Sequence, residues 1–356
     1  MRPRAAALDQ AMRELSALGA RLQSGSRSLP ALGPVEVGQT PKSVIAQTDR
    51  ATLYRFVRQS PAGVARPVLI VYALVNRPYM TDLEPQRSMV RQMLDAGLDV
   101  YLVDWGYPQD ADRHLSLSDY INRYLDGFVD RILSAHGIGG LNLLGICQGG
   151  TFGVCYAALS PEKVSNLITM VTPVDFHTPD NLLSKWVRDI DIDLMVDTLG
   201  NIPGSLLNWL FASLKPARNG GGKMLELVDS IDDPERLKTF LRMEKWIHDS
   251  PDQAGAAFRQ FVGDFFQKNS LVKGELSVGG RPVRLSRITM PVLNLYATLD
   301  HIVPPAASRA LEAHIASADY SELQFEGGHI GIYVSRKAQT IVAPRIAQWL
   351  AARPGE

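Results

Sequence analysis

Three short runs of the sequence set a reactive side chain at the end of an apolar stretch, two of them beside glycine. The first is Gly145-Ile146-Cys147-Gln148-Gly149-Gly150, which follows an apolar run at 141–144 and leads into a helical pattern at 151–159. The spacing G-x-C-x-G is that of a nucleophile elbow, with cysteine where serine usually stands. Such a strand-to-helix turn is sharp, and glycine at 145 and 149 leaves room for close backbone approach. It sets Cys147 at the C-terminal end of a strand, facing the partial positive charge of a helix N-terminus. The second run, Asp300-His301, follows an apolar stretch at 292–296, and the third, Gly327-Gly328-His329, follows one at 323–325. Loops at strand C-termini are where open α/β sheets hold catalytic groups. A free thiol near neutral pH is mostly protonated and needs a base beside it. His329 is the expected base, and Asp300 is expected to hold its imidazole. The G-x-C-x-G pattern alone also fits a buried structural cysteine; two partners at two further strand ends argue against that.

Acyl transfer also needs donors for the developing oxyanion. The expected pair is the backbone N–H of Gln148 and that of Val75, in the loop after the 67–73 run, with Asn76 as a supporting neighbour. Arg77 reads as a salt-bridge anchor. His301 is expected to support the Asp300 loop. Cys155 lies on the helix that follows the elbow, roughly 12 Å along its axis from Cys147, too far for a disulfide, and reads as core. A cysteine nucleophile is itself informative. Moving an acyl group from a thioester onto Cys147 exchanges one thioester for another, and the enzyme-bound thioester can then pass its acyl group downhill to a hydroxyl.

The elements that must position these groups are short β-branched runs at 52–57, 67–73, 100–103, 141–144, 167–171, 292–296 and 323–325. Helical patterns such as 84–95 and 117–135 lie between them. Near-continuous apolar strands alternating with helices predict a mostly parallel sheet covered on both faces. The chain order nucleophile, acid, base is that of the α/β-hydrolase fold. The alternation stops near Pro173 and resumes near Met290, so residues 176–287, rich in Leu and Trp, are expected to form an inserted helical cap. Residues 43–175 and 288–356 then make the α/β core. Residues 1–42 are expected to hold an amphipathic helix at 5–23, carried by Leu8, Met12, Leu15, Leu18 and Leu22, and a Ser/Gly/Pro-rich linker.

With 356 residues, 46 % of them hydrophobic, the chain is long enough for a large core. Its 37 basic and 37 acidic residues balance, so no global field draws it to nucleic acid or an anionic membrane. Only two cysteines are present, which gives no disulfide framework. Asp9, Arg13, Glu14 and Arg21 interrupt any secretory leader, and no apolar run is long enough to span a bilayer, so the cytoplasm is the expected compartment. No metal cluster or phosphate loop is visible, and no bound cofactor is expected.

Further runs extend the picture. Tyr72-Ala73-Leu74-Val75-Asn76-Arg77-Pro78-Tyr79-Met80, Asp104-Trp105-Gly106, Thr178-Pro179-Asp180-Asn181-Leu182-Leu183, Gly200-Asn201-Ile202-Pro203, Phe240-Leu241-Arg242-Met243-Glu244-Lys245-Trp246, Asp300-His301-Ile302-Val303-Pro304-Pro305 and Gly327-Gly328-His329-Ile330-Gly331 join the Cys147 box. From about residue 41 to the last helix, the chain resembles polyhydroxyalkanoate synthases, and its length resembles the class III catalytic subunit. The resemblance implies (R)-3-hydroxyacyl-CoA donors, short-chain 3-hydroxybutyryl-CoA foremost, release of coenzyme A, and a growing polyester on the enzyme. It implies a second synthase subunit of E type (R type in the similar class IV), a homodimer or hetero-oligomer, and association with polyester granules. It places the family's catalytic residues on Cys147, Asp300 and His329, and gives Asp300 the further role of activating the substrate's 3-hydroxyl. The competing readings are a thioesterase or intracellular polyester depolymerase using the same residues, and a non-enzymatic granule scaffold.

Overall fold

A computed structural model describes residues 33–58, 63, 66–214 and 223–353. The helix expected at 5–23 and most of the linker lie outside them. Among the described residues the main sheet has eight strands: β1 (Lys42–Thr48), β2 (Ala51–Phe56), β3 (Val68–Val71), β4 (Val100–Asp104), β5 (Leu141–Ile146), β6 (Val164–Met170), β7 (Val292–Ala297) and β8 (Tyr320–Phe325). Their spatial order is β1-β2-β4-β3-β5-β6-β7-β8. β2 pairs antiparallel with β1 and β4, and every neighbour pair from β4 to β8 is parallel. Every residue of β3, β5 and β7 is buried, which is why these strands read as near-continuous apolar runs, broken only by Asn142 and Asn294.

Two edges differ from the sequence expectation. β1 carries Lys42, Ser43, Gln47 and Thr48 and has no buried residue, so it has no apolar signature. β8 begins at Tyr320, but only Phe325 is buried, so its first half is silent in the sequence. The helix expected from residue 84 starts at Met89 instead. Asp82–Glu84 and Arg87–Ser88 pair as a small antiparallel ladder around Pro85, which disfavours helix at the residue before it. Ser88 then caps the helix Met89–Asp95 by accepting from the Arg91 N–H at 2.9 Å.

Between β6 and β7 the described residues include the helices Leu182–Val187, Ile192–Leu199, Gly204–Ser213, Lys223–Ser230, Pro234–His248 and Gly255–Gln260. Asn181, Asp191 and Asp233 cap three of them by accepting from backbone N–H groups. These helices enclose a small apolar cluster of their own, including Leu183, Val187, Ile192, Val196, Ile202 and Leu207. Two larger clusters pack against the sheet: one includes Tyr120, Phe152 and Phe261, the other Met89, Ile146, Tyr333 and Ile346. Cys155 is fully buried in the first, as its position on the helix Gln148–Leu159 predicts.

Candidate active site

The elbow is built by steric necessity. Cys147 has φ 54° and ψ −126°, a conformation L-residues rarely adopt, and it ends β5 where the helix Gln148–Leu159 begins. Strain of this kind costs on the order of 1–3 kcal/mol and persists only where the surroundings enforce it. They do so here. A Cβ on Gly145 would stand 2.4 Å from the Gly150 Cα, and one on Gly149 would stand 2.3 Å from the Val71 carbonyl oxygen. The Cys147 N–H donates to the Met170 carbonyl at 2.9 Å, tying the turn to β6. The turn thus offers the side chain of Cys147 to a cavity above the sheet.

Acid and base arrive on zipped loops. Beyond β7 and β8, the Thr298 N–H donates to the Phe325 carbonyl at 2.9 Å and the Leu299 N–H to that of Gly327 at 2.8 Å. The Asp300 side chain has no exposure, and its Oδ1 accepts from the Ile302 and Val303 N–H groups, each at 2.9 Å. Its Oδ2 lies 2.7 Å from His329 Nδ1. His329 and Cys147 line the same cavity, and with Nδ1 facing Asp300 the other ring nitrogen is left for the thiol. Burial disfavours the charged imidazole and is the largest single influence on it. The negative charge of Asp300, that of Cys147 and the hydrogen bond to Asp300 outweigh it, so His329 is held well above its ordinary value.

The remaining expected residues divide by location. Val75, Asn76, Gln148, His301 and His329 line one cavity with Cys147, and Asp300 stands behind His329. The Gln148 side chain accepts from the Leu74 N–H at 3.0 Å, fixing the loop after β3 against the elbow. The Asn76 Nδ2 donates to the Trp246 and Ile247 carbonyls at 3.3 and 3.4 Å, so its amide anchors an inserted helix. Arg77 is the expected anchor: it pairs with Asp104 at 2.6 Å and lies over the Tyr107 ring. The sequence reading missed Tyr72 and Tyr333, which also line the cavity and whose hydroxyls meet at 3.2 Å. They stand 261 positions apart, and no local spacing joins them.

The cavity measures about 1150 Å³. Its roof comes from the inserted helices, through Leu207, Phe211, Phe258 and Trp246 among others. Among the described residues no group of His, Cys, Asp and Glu is arranged to hold a metal ion, and no helix is long and apolar enough to cross a membrane.

Sheet order, elbow and acid and base loops together define an α/β-hydrolase-fold enzyme. The family described as alpha/beta hydrolase fold matches residues 66–335. A soluble variant of the monoglyceride lipase of Saccharomyces cerevisiae superposes with a TM-score of 0.56, covering 90 % of this chain and 97 % of that one, at 16 % identity. That likeness shows the fold alone. A second family, the N-terminus of poly-beta-hydroxybutyrate polymerase, matches residues 8–93. The chain is 56 % identical over 347 residues to the poly(3-hydroxyalkanoate) polymerase subunit PhaC of Allochromatium vinosum, covering 97 % of this chain and 98 % of that protein. It is 53 % identical to the subunit of the same name in Thiocystis violacea, covering 99 % and 100 %. The chain belongs to the poly(3-hydroxyalkanoate) polymerase family, and with it to the acyltransferases, as its sequence motifs imply.

Proposed function

We propose that the protein polymerises (R)-3-hydroxyacyl-CoA, with 3-hydroxybutyryl-CoA the preferred donor, through an acyl-thioester on Cys147. The observation that carries this reading is the Cys147–His329–Asp300 chain beneath a largely apolar roof. His329 holds the proton from Cys147 while the sulfur attacks the thioester carbonyl. The N–H groups of Val75 and Gln148 hold the oxyanion. Collapse breaks the carbon–sulfur bond to coenzyme A, whose thiolate leaves with the proton from His329. The 3-hydroxyl of a second acyl-CoA then attacks the Cys147 thioester and gives its proton to His329. An ester bond forms, the bond to Cys147 breaks, and the lengthened chain, still a CoA thioester, can acylate Cys147 again.

Asp300 is assigned the orienting role in both half-reactions. Its two oxygens are already engaged, by two backbone N–H groups and by His329, which argues against a separate role at the 3-hydroxyl. The apolar roof favours transfer over hydrolysis by keeping water from the thioester. We assign the protein a second synthase subunit of E type and a place on cytoplasmic polyester granules, a reading supported by relatives that are themselves named as subunits.

The test is incubation with 3-hydroxybutyryl-CoA while thiol release and polymer are followed together. Thiol release with polymer supports the reading, and release with free 3-hydroxybutyrate alone would make the protein a thioesterase. Cys147→Ala should reduce acyl transfer by about 10⁴-fold or more while leaving the folded signal unchanged. Polymer from that variant, with Cys155 the only thiol left, would remove Cys147 from the mechanism.

A further inference from the structure

Tyr72 follows β3 directly, and its carbonyl accepts from the Trp105 indole N–H at 2.8 Å. Tyr333 lies on the short helix Gly331–Val334, four residues beyond His329. The two rings meet edge to face, with centroids 6.4 Å apart and planes at 89°. They are 3 % and 2 % exposed, and both line the cavity that holds Cys147. The pair therefore spans the site, from the strand beside the nucleophile to the loop that carries the base.

Two hydroxyls that face one another at 3.2 Å use one hydrogen between them. The second hydroxyl keeps its hydrogen, and that group has no acceptor among the described residues. A buried donor without an acceptor costs free energy unless something supplies one. Burial and the charge of Cys147 both favour the protonated phenols, so the hydrogen stays in place. Neither phenol is hydrogen-bonded to Cys147, although the charge of its sulfur reaches both. Tyr72, Tyr333 and Cys147 border the same cavity, where an acyl group on Cys147 would lie.

Resting on the function argued above, we propose that the Tyr72–Tyr333 pair is a positioning and selectivity element that donates a hydrogen bond to the 3-oxygen of the acyl unit on Cys147. In that mechanism the thioester carbonyl oxygen is served by the N–H groups of Val75 and Gln148, and Asp300 has both oxygens engaged, so the 3-oxygen needs another partner. A donor suits it throughout the reaction. A single unit carries a 3-hydroxyl and a growing chain carries a 3-ester oxygen, and both accept.

The experiment compares first-turnover thiol release from 3-hydroxybutyryl-CoA and from butyryl-CoA, which can acylate Cys147 but has no 3-oxygen. The double variant Tyr72→Phe/Tyr333→Phe keeps the ring packing and removes both hydroxyls, so it orphans neither. Its rate ratio for the two donors should fall about 10-fold, with the butyryl rate and the Tm near wild type. Each single variant keeps one hydroxyl free to turn to the acyl unit and should fall less. An unchanged ratio in the double variant, or an equal loss with both donors, overturns this inference alone. Failure of the wild-type enzyme to release thiol from either donor would overturn the proposed function and this inference with it.

Discussion

The floor of the cavity is backbone packed against backbone, whereas its roof is side chain laid on side chain. At the floor, Gly145 presses against the backbone of Gly149 and Gly150, and Gly149 against that of Val71 and Tyr72, at separations no side chain could enter. At the roof, Trp209 is 67 % exposed, and Leu194 and Leu199 also face outward. One roof helix stands apart. Pro234–His248 is fastened to the core by the Arg242–Glu84 ion pair at 2.5 Å, by the Trp246 indole donating to the Arg77 carbonyl at 2.9 Å, and by Asn76. Asp249 at its end accepts from the Tyr79 and Tyr107 hydroxyls. The difference separates two demands on one enzyme. The reacting groups need fixed geometry, which strained backbone enforces. A roof that admits a substrate and releases a long product needs contacts that can be exchanged.

The largest effect that would sharpen this contrast is on the floor. A Cβ at Gly149 meets the Val71 and Tyr72 carbonyl oxygens at 2.3 and 2.4 Å. Gly149→Ala should destabilise the protein by about 3 kcal/mol, the upper end of overpacking, because backbone on both sides must move. Gly127→Ala is the control: the site is exposed helix with nothing within 4 Å of the added Cβ, and a gain of roughly 0.5–1 kcal/mol is expected. Denaturant unfolding of both variants checks the pair, and equal small effects would break the picture of a rigid floor.

At the roof's fixed helix, the Arg242 and Glu84 side chains are only 12 % and 6 % exposed. Removing one partner of a buried pair costs about 3–5 kcal/mol. Arg87, 3.2 Å from Glu84, and the Thr239 hydroxyl remain as partial compensation. Arg242→Ala should therefore cost about 2 kcal/mol, below that range. Product analysis should show more free hydroxy acid relative to polymer. Lost stability with an unchanged product ratio would make the fastening purely structural.

A pH series reports on the proposed base. His329 is raised above its ordinary value, so the folded state holds its proton more tightly than the unfolded chain does. The stabilisation is fully present below an unfolded value of about 6.5 and is lost as pH rises through the folded value. The unfolding free energy of wild type minus that of His329→Gln should therefore be largest on the acid side and shrink at alkaline pH. A difference that grows with pH would reverse the assignment.

How much of this was legible in the sequence follows from how local each signal is. The elbow and Asp300 each sit at the end of a buried strand, so each is announced by its own neighbours, whereas His329 follows an edge strand and is announced only by the last residues of that strand and the Gly327-Gly328 turn. The polar edges β1 and β8 bury too little to leave such a mark. Asn76 read as a neighbour of the oxyanion donors, yet its amide reaches a helix 170 positions away. The Tyr72–Tyr333 hydroxyl contact and the Arg242–Glu84 pair likewise join residues whose meeting only the tertiary fold decides.

The smallest stability effect belongs to Trp209, and it tests the exchangeable half of the roof. The helix Gly204–Ser213 buries Gly204 and Leu207 and leaves Trp209 largely in water, yet Trp209 also borders the cavity. An exposed side chain of this kind contributes little to folding, so Trp209→Gln should change stability by no more than about 0.5 kcal/mol. Its functional effect should be larger than its structural one. In the proposed mechanism an indole at the rim helps keep water from the acyl-thioester, and an exposed aromatic also suits a surface that would meet another subunit. The variant should therefore release more free hydroxy acid per ester bond formed, or self-associate more weakly in sedimentation, and should change the lag before polymer appears. Phe211→Gln, half-buried on the same helix, should move these readouts in the same direction and cost more stability. Wild-type lag, product ratio and oligomeric state in both variants would make this helix ordinary packing, and would leave the fixed helix Pro234–His248 as the part of the roof that matters to the chemistry.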